Sequence, residues 1–289
     1  MMSISKDHKI VITGAEGFIG KNLSKALQEY NIWKFDRSVN SFFDIDSMKE
    51  LINDVDMIYH FAGVNSGSGF QPTIQELNQN NVDATFNLVK AIEKFTKVPP
   101  LLVTLSSIHV YDKTKTLFQE DQDLAPSSTY GMSKLTQEVI INKASKMKIL
   151  RPLIFRASNI YGPGSKPNYN SALATFCHQV INNEIIPLYA NGDATMDLIY
   201  VDDVVRALMN APHFEKSNHS TFNLASGEII KISELIHILG EISGIEIKTR
   251  KIDSDMVNFN ICKKRFDSVL SNFKLTDIKE GVRSTYEQI

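Results

Sequence analysis

The sequence predicts the α/β class: a doubly wound parallel-sheet domain followed by a smaller C-terminal lobe. Three observations carry this expectation. Apolar runs without polar alternation recur through the first half of the chain, as strands buried on both faces require. Segments with apolar residues at helical spacing lie between them. The stretch YGPGSKPNYNS (161–171), rich in Gly, Pro and Asn, ends this regular part, and the elements beyond it are shorter.

Each element follows in order. KIVIT (9–13) reads as the first strand, and Ile19, Leu23, Ala26, Leu27 and Tyr30 follow at helical spacing. IWKFD (32–36), VDMIYHFAG (55–63), PLLVTLSS (100–107) and KILRPLIFR (148–156) read as further strands. NNVDATFNLVKAIEKF (80–95) and YGMSKLTQEVIINKASK (130–146) carry helical periodicity. The expected division is a dinucleotide-type domain over 1–158, rejoined by about 197–210. Residues 159–196 and 211–289 then form the second lobe, with a cleft between the two.

Composition narrows the partners. Lys and Arg (31) nearly balance Asp and Glu (33) over 289 residues, with no long run of one sign. Nothing there suits a polyanion, so no nucleic-acid partner is expected. The opening MMSISKDHKIVITGA has an apolar run too short for a signal peptide or a membrane span. Cys177 and Cys262 stand in no metal or redox spacing, so no metal site is expected, and a reduced, cytoplasmic protein is the natural reading.

Two motifs carry chemistry. TGAEGFIG places Gly14, Gly17 and Gly20 between the first strand and the first helix. Glycines there allow a tight turn, close approach of a pyrophosphate and helix-to-sheet packing, while the helix N-terminus offers N–H donors. Asp36, at the end of the second predicted strand, is placed to accept hydrogen bonds from a ribose diol. Together they describe a Rossmann-type dinucleotide site. Asp36 repels a 2′-phosphate and favours NAD, whereas Arg37 beside it leaves NADP open. The second motif, YGMSK, puts Tyr130 and Lys134 on one face of a helix, one turn apart. An ammonium there favours the phenolate, so the pair reads as a general base or as an ordinary helix surface.

With these residues in view, the chain resembles the extended branch of the short-chain dehydrogenase/reductase superfamily, the nucleotide-sugar epimerases and dehydratases. TGAEGFIG, HFAGVN (60–65), NNV (80–82), LSSIHVY (105–111), YGMSK, RASNIYGPG (156–164), LIYVDDVVRA (198–207) and FNLASGE (222–228) carry the resemblance over nearly the whole length. It implies that Tyr130 is the acid/base and that Lys134 binds the nicotinamide ribose. With the charge of oxidised nicotinamide, Lys134 is expected to lower the phenol pKa from about 10. It implies Ser107, rather than Ser106, as the hydroxyl bonded to the reacting oxygen. Phe18 and Ile19 match the pyrophosphate turn, and Asp44 with Ile45 match the pair at adenine. Phe61, Ala62 and Gly63 match a cofactor-lining strand end. Asn81 matches a position near the nicotinamide, or serves as a buried amide that satisfies backbone groups. Asn159 matches the residue that approaches the sugar diphosphate.

Two departures stand out. Where dehydratases carry adjacent acids, this chain has Ile108 and His109, so dehydration is not expected. His109 is left as a substrate-side or wall residue. Met196 stands where many relatives have a diphosphate-gripping Arg, leaving Lys166, Arg250, Lys263, Lys264 and Arg265 as substitutes. The resemblance implies a cytoplasmic homodimer acting at C4 of a nucleotide-diphosphate sugar, foremost as a 4-epimerase with bound NAD. The alternative is a 4-keto-sugar reductase of surface-polysaccharide synthesis, since KPNYNSALATF (166–176) resembles a segment of such enzymes. A non-catalytic NAD(P)-sensing protein is the reading from another class.

Overall fold

Six parallel strands form the central sheet, in the spatial order Thr221–Leu224, Arg151–Ala157, Leu101–Ser107, Met57–His60, Ile10–Thr13 and Ile32–Lys34. The computed structural model describes residues 4–66, 69–253 and 258–289. From the first strand the chain runs outward to the edge strand 32–34. It then returns to the other side of the first strand at 57–60. This reversal opens a crevice beyond the C-terminal ends of the two strands, where doubly wound sheets bind ligands.

The apolar runs become strands because both sheet faces are covered. Ile10, Ile12, Tyr59, Val103 and Phe155 face one core, shared with Leu23, Val204 and Leu208 from the helices Phe18–Ala26 and Val201–Met209. Val11, Ile58, Leu102 and Ile154 face the other, against Leu88, Ile92 and Ile141 of the helices Ala84–Phe95 and Thr129–Lys146. Alternating side chains of one buried strand therefore feed two cores.

A separate core built on Leu173, Cys177, Ile186, Leu198, Leu235 and Val282 defines the second lobe. Its three-stranded sheet joins Asn159–Tyr161, Thr195–Tyr200 and Ile229–Lys231. The sequence division needs one correction. It places residues 221–224 in the second lobe, whereas they form the sixth strand of the central sheet. A short buried run, TFNL, suffices because Phe222 packs on Phe155 and Phe214.

Element ends also differ, for local reasons. The run 55–63 gives a strand only over 57–60, because Phe61 and Ala62 bend over the glycine turn. The run 148–156 enters the sheet only at Arg151, after Lys148 takes a left-handed conformation at the helix end. The helical stretch read from residue 80 begins earlier, at Ile74, where Thr73 and Glu76 form a capping box. Between Ile74–Leu77 and Ala84–Phe95 it widens into a π-helical turn, Asn78–Asp83.

Gly20 is required by close approach. A Cβ there would lie 2.1 Å from the Gly14 carbonyl oxygen, whereas one on Gly17 would meet the same oxygen at 3.2 Å. Gly20→Ala should therefore lower unfolding free energy by about 1–3 kcal/mol, the range for overpacking. Gly17→Ala should cost much less, as read by urea denaturation. Equal losses would contradict this packing.

Candidate active site

The crevice is a cleft of about 390 Å³. On the nucleotide-domain side it is lined by Gly14, Gly17, Phe18, Ile19, Gly20, Phe61 and Gly63. Gly14 adopts φ +71°, and a Cβ there would lie 2.6 Å from the Phe61 carbonyl carbon, so only glycine lets the turn come this close. The helix Phe18–Ala26 opens from Gly17, which supplies no side-chain cap, and carries no acid in its first turn. Its first N–H groups are thus left for an anionic ligand.

Asp36, Arg37, Asp44 and Ile45 sit outside this cleft, in the loop beyond the edge strand. Phe35 continues the sheet ladder to Ile12 and stacks on Phe42 at 4.2 Å, which pins the two parts of the loop together. Asp36 is exposed, and its Oδ1 accepts from Ser38 N and Oγ at 2.8 and 2.7 Å. Those bonds hold its carboxyl below the usual range. Asp44 caps a short helical turn by accepting from Asp46 N, and Ile45 packs against the second core. Ala62 is buried behind the cleft wall, its N–H donating to Thr13 Oγ1.

The chemical groups gather at the cleft floor. Ser107 ends its strand, accepts from His109 N at 3.2 Å and lines the cleft floor together with Tyr130, whose phenol its hydroxyl influences. Ser106 points away, donating to Glu138 Oε1, so the two adjacent serines face opposite partners. Ser128 caps the helix Thr129–Lys146 by accepting from Gly131 N, which starts the helix at Tyr130's own turn. Lys134, one turn on, donates to the Leu105 carbonyl at 3.1 Å.

Enclosure tunes these groups. Desolvation pushes the Tyr130 phenol upward; the Ser107 hydroxyl opposes it and the neighbouring Tyr169 adds to it. Desolvation also pushes Lys134 down to about 8, against the pull of Glu138. The expected lowering of the phenol by Lys134 is therefore not what governs the protein alone. The surrounding protein holds Tyr130 as a protonated acid. His109 stands edge-on to Tyr130, with ring centres 5.9 Å apart. Desolvation, then the charge of Lys113, takes it down to about 4. It is a neutral wall residue near pH 7.

Asn81 does not line the cleft. It is fully buried, exchanging bonds with Val64 N and O (2.8 and 3.2 Å) and donating to Ser133 Oγ at 3.0 Å. The π-helical turn is what brings it there. Behind it lies a chain of groups the sequence reading did not single out. Thr85 Oγ1 donates to Asn81 O (2.6 Å) and accepts from Gln137 Nε2 (2.7 Å) on the Tyr130 helix. With its one proton so engaged, Thr85 accepts from His60 Nε2 at 3.0 Å, which assigns the Nε2–H tautomer. Thr13 then donates to His60 Nδ1 at 2.7 Å and accepts from Ala62 N at 3.2 Å. Burial, aided by Lys134, keeps His60 neutral, its pKa about 3. Only HFAGVN hinted at this, by putting a histidine inside a buried strand.

On the opposite wall, Asn159 lines the cleft and donates to Asp197 O at 3.0 Å. Tyr169, Asn170, Ser171 and Ala172 line it too. Met196 packs against the core of the second lobe. None of the proposed substitutes for an Arg there reaches the lining: Lys166, Arg250 and Lys264 are exposed, Lys263 bonds Ser226 O and Arg265 pairs with Asp121. Among the described residues, Lys134 is the one cation of the lining. No group of His, Cys, Asp and Glu among them could hold a metal ion.

Residues 10–225 match the profile of the NAD dependent epimerase/dehydratase family. The chain belongs to this family. Within it, the chain is 33% identical over 237 residues to UDP-2-acetamido-2,6-beta-L-arabino-hexul-4-ose reductase of Pseudomonas aeruginosa, covering 81% of this chain and 57% of that protein. It is 26% identical to dTDP-4-dehydro-6-deoxyglucose reductase of Escherichia coli, over 81% of this chain and 82% of that one. In fold it is similar to the UDP-glucuronic acid 4-epimerase of Bacillus cereus, with TM-score 0.84, 21% identity, and coverage of 97% and 98% of the two chains. The family is one of enzymes that work with NAD.

If the His60 chain orders this site, Thr85→Val, which keeps shape and removes the hydroxyl, should cost about 1–3 kcal/mol for each buried partner left unpaired. Thr85→Ser keeps the hydroxyl and should cost well under half as much in chemical denaturation. Equal costs would remove the hydrogen bonds from the account.

Proposed function

We propose that this chain moves hydride between a nicotinamide dinucleotide and C4 of a nucleotide-diphosphate sugar, working as a 4-keto-sugar reductase. The carrying observation is the Tyr130 phenol beside Ser107 at the floor of a cleft that begins at the glycine turn. The uncapped helix start at Gly17, free of acids, fits a pyrophosphate. Gly14, Gly17, Phe18, Ile19 and Gly20 would hold it, with Asp36 at the adenosine ribose and Asp44 and Ile45 at adenine. Arg37 flanks Asp36, and Phe61, Ala62 and Gly63 bound the inner half of the dinucleotide. Asn81 acts from behind by fixing Val64. A bound nicotinamide dinucleotide supplies or accepts the hydride.

The protein's own groups handle the proton. Ser107 donates to the carbonyl oxygen of the sugar and orients it toward Tyr130. As the carbonyl carbon gains hydride, Tyr130 gives its proton to that oxygen, leaving a phenolate and a hydroxyl. The Lys134 ammonium stabilises the phenolate until solvent returns the proton. Ser107, His109 and Asn159 border the sugar side.

Reduction is favoured by two things: the segment 166–176, and two relatives named as reductases of 4-keto sugars. Epimerisation at C4 is the second reading, supported by Asp36 as an NAD-favouring acid and by structural neighbours named as 4-epimerases in complex with NAD. One neighbour is a complex with NADPH, which keeps the phosphorylated cofactor in view. We read the assembly as a homodimer, since Phe86 on one helix and Met132 and Val139 on another are exposed apolar residues. Free thiols at Cys177 and Cys262 suit a reducing cytoplasm. No helix of the described residues is long and apolar enough to cross a membrane.

Mass spectrometry of dinucleotide released from the purified protein, followed by incubation with 4-keto nucleotide sugars, tests the direction. Product that forms only with added NADPH or NADH is expected; tightly held NAD and interconversion of C4 epimers without additive would establish epimerisation instead. Tyr130→Phe should bind dinucleotide normally while turnover falls about 10²–10⁴-fold, mainly in kcat. Near-native turnover in that variant would rule out the phenol as the proton donor.

A further inference from the structure

The segment 166–172 has no part in the chemistry above, yet it is built into the cleft with care. Asn168 takes a left-handed conformation at φ +59° and donates its N–H to Thr175 Oγ1 at 2.8 Å. Asn170 Oδ1 accepts from Lys166 N at 2.7 Å, closing the turn that presents Tyr169. The turn is then fastened to the opposite lobe. Gly69 N donates to Asn168 O at 3.0 Å, and a Cβ on Gly69 would lie 2.5 Å from Asn168 Cβ, so only glycine permits this approach. Beside that bond the rings of Phe70 and Tyr169 pack at 5.2 Å. The ring of Tyr169 is therefore held from both sides of the cleft.

The other polar groups of the wall it belongs to are Ser158, Asn159, Asn170 and Ser171. Asn159 holds Asp197 O, Asn170 holds the turn and Ser171 caps the helix Ala172–Ile181. The Tyr169 hydroxyl has no hydrogen-bond partner among the described residues, although the residue lines the cleft. Tyr169 and Tyr130 line the same cleft, and the field of one reaches the other. Tyr130 and Ser107 occupy the side from which the reacting oxygen is served. A phenol facing them from the second lobe meets the same sugar ring from its far side.

We propose that Tyr169 is a specificity-determining residue that hydrogen-bonds an oxygen of the sugar ring neighbouring the reacting carbon, held in place by the Gly69–Asn168 and Phe70–Tyr169 clasp. This rests on the reading of the cleft as a nucleotide-sugar site. Its ligand is the sugar, because Tyr169 lines the same cleft as Tyr130 and Ser107, the groups that serve the reacting oxygen. The clasp fixes the ring before binding, so little rotamer freedom is lost when the bond forms.

Calorimetric titration of the dinucleotide-loaded protein with UDP-glucose, UDP-N-acetylglucosamine and dTDP-glucose, each paired with UDP or dTDP alone, tests this. Tyr169→Phe removes one oxygen and keeps the ring packed on Phe70, so the fold should stand, which an unchanged melting temperature checks. For the sugar nucleotide bound tightest by the wild type, affinity should fall about 3- to 10-fold, the range for one hydrogen bond. Affinity for the nucleoside diphosphate alone and for the dinucleotide should not change. Unchanged affinity for the sugar nucleotide would overturn the proposal, as would an equal loss for UDP or dTDP alone. If the wild type bound none of the sugar nucleotides, the reading of the site itself would fall with it.

Discussion

The hydrogen bonds of His60 fix where everything else in the site can be. The side chain lies between two strand ends and a helix, with no solvent to complete its valences, so both ring nitrogens need protein partners. Only one arrangement of protons satisfies Thr13, Thr85, Gln137 and Asn81 together, and it requires the neutral ring. Thr13 immediately precedes the glycine turn, and Gln137 lies on the helix of Tyr130 and Lys134. The glycine turn and the helix of Tyr130 and Lys134 are thus referenced to one imidazole. A charged His60 would leave a donor facing a donor beside Lys134.

That helix has a second anchor on its other side. Glu138 pairs with Arg156 at 2.7 Å in the interior, accepts from Ser106, and through Arg156 is linked to Tyr111 and Asn223. A buried ion pair of this kind contributes little net stability over an apolar substitute, but removing one partner is costly. Its value here is positional. Gln137 and Glu138, adjacent in sequence, tie one helix to Thr85 on a neighbouring helix and to Arg156 in the sheet. Tyr130 and Lys134 have little freedom to move relative to Ser107. Enclosure also favours the protonated form of the phenol.

Much of this was legible in the sequence, and the exceptions have physical causes. Unbroken apolar runs betray strands covered on both faces, and the glycine spacing betrays a turn that a Cβ would block at Gly14 and Gly20. The four-residue spacing of Tyr130 and Lys134 needs only a helix to bring them together. What sequence could not give was anything set by non-local contact. The strand 221–224 is too short to announce itself and is defined by Phe155 and Phe214. The π-helical turn that carries Asn81 inward has no periodicity of its own. Of the two readings open for Asn81, a position near the nicotinamide or a buried amide, the hydrogen bonds to Val64 and Ser133 describe the buried amide. Ser106 and Ser107 could be told apart by resemblance, but the reason is spatial: strand alternation turns one toward Glu138 and the other toward Tyr130. Among the described residues no cation lines the cleft near Met196, because charge in a sequence does not show where a side chain points: Lys166, Arg250 and Lys264 are exposed, and Lys263 and Arg265 are held by Ser226 and Asp121.

The central claim is that hydride arrives at a sugar carbonyl while Tyr130 supplies the proton to its oxygen. Deuteride transfer measures this directly. Incubating the protein with nicotinamide dinucleotide reduced and deuterated at its C4, together with a 4-keto nucleotide sugar, should give a product whose NMR spectrum carries deuterium at sugar C4 on one face only. Deuterium at another carbon, on both faces, or absent from a product that nonetheless forms would contradict the account.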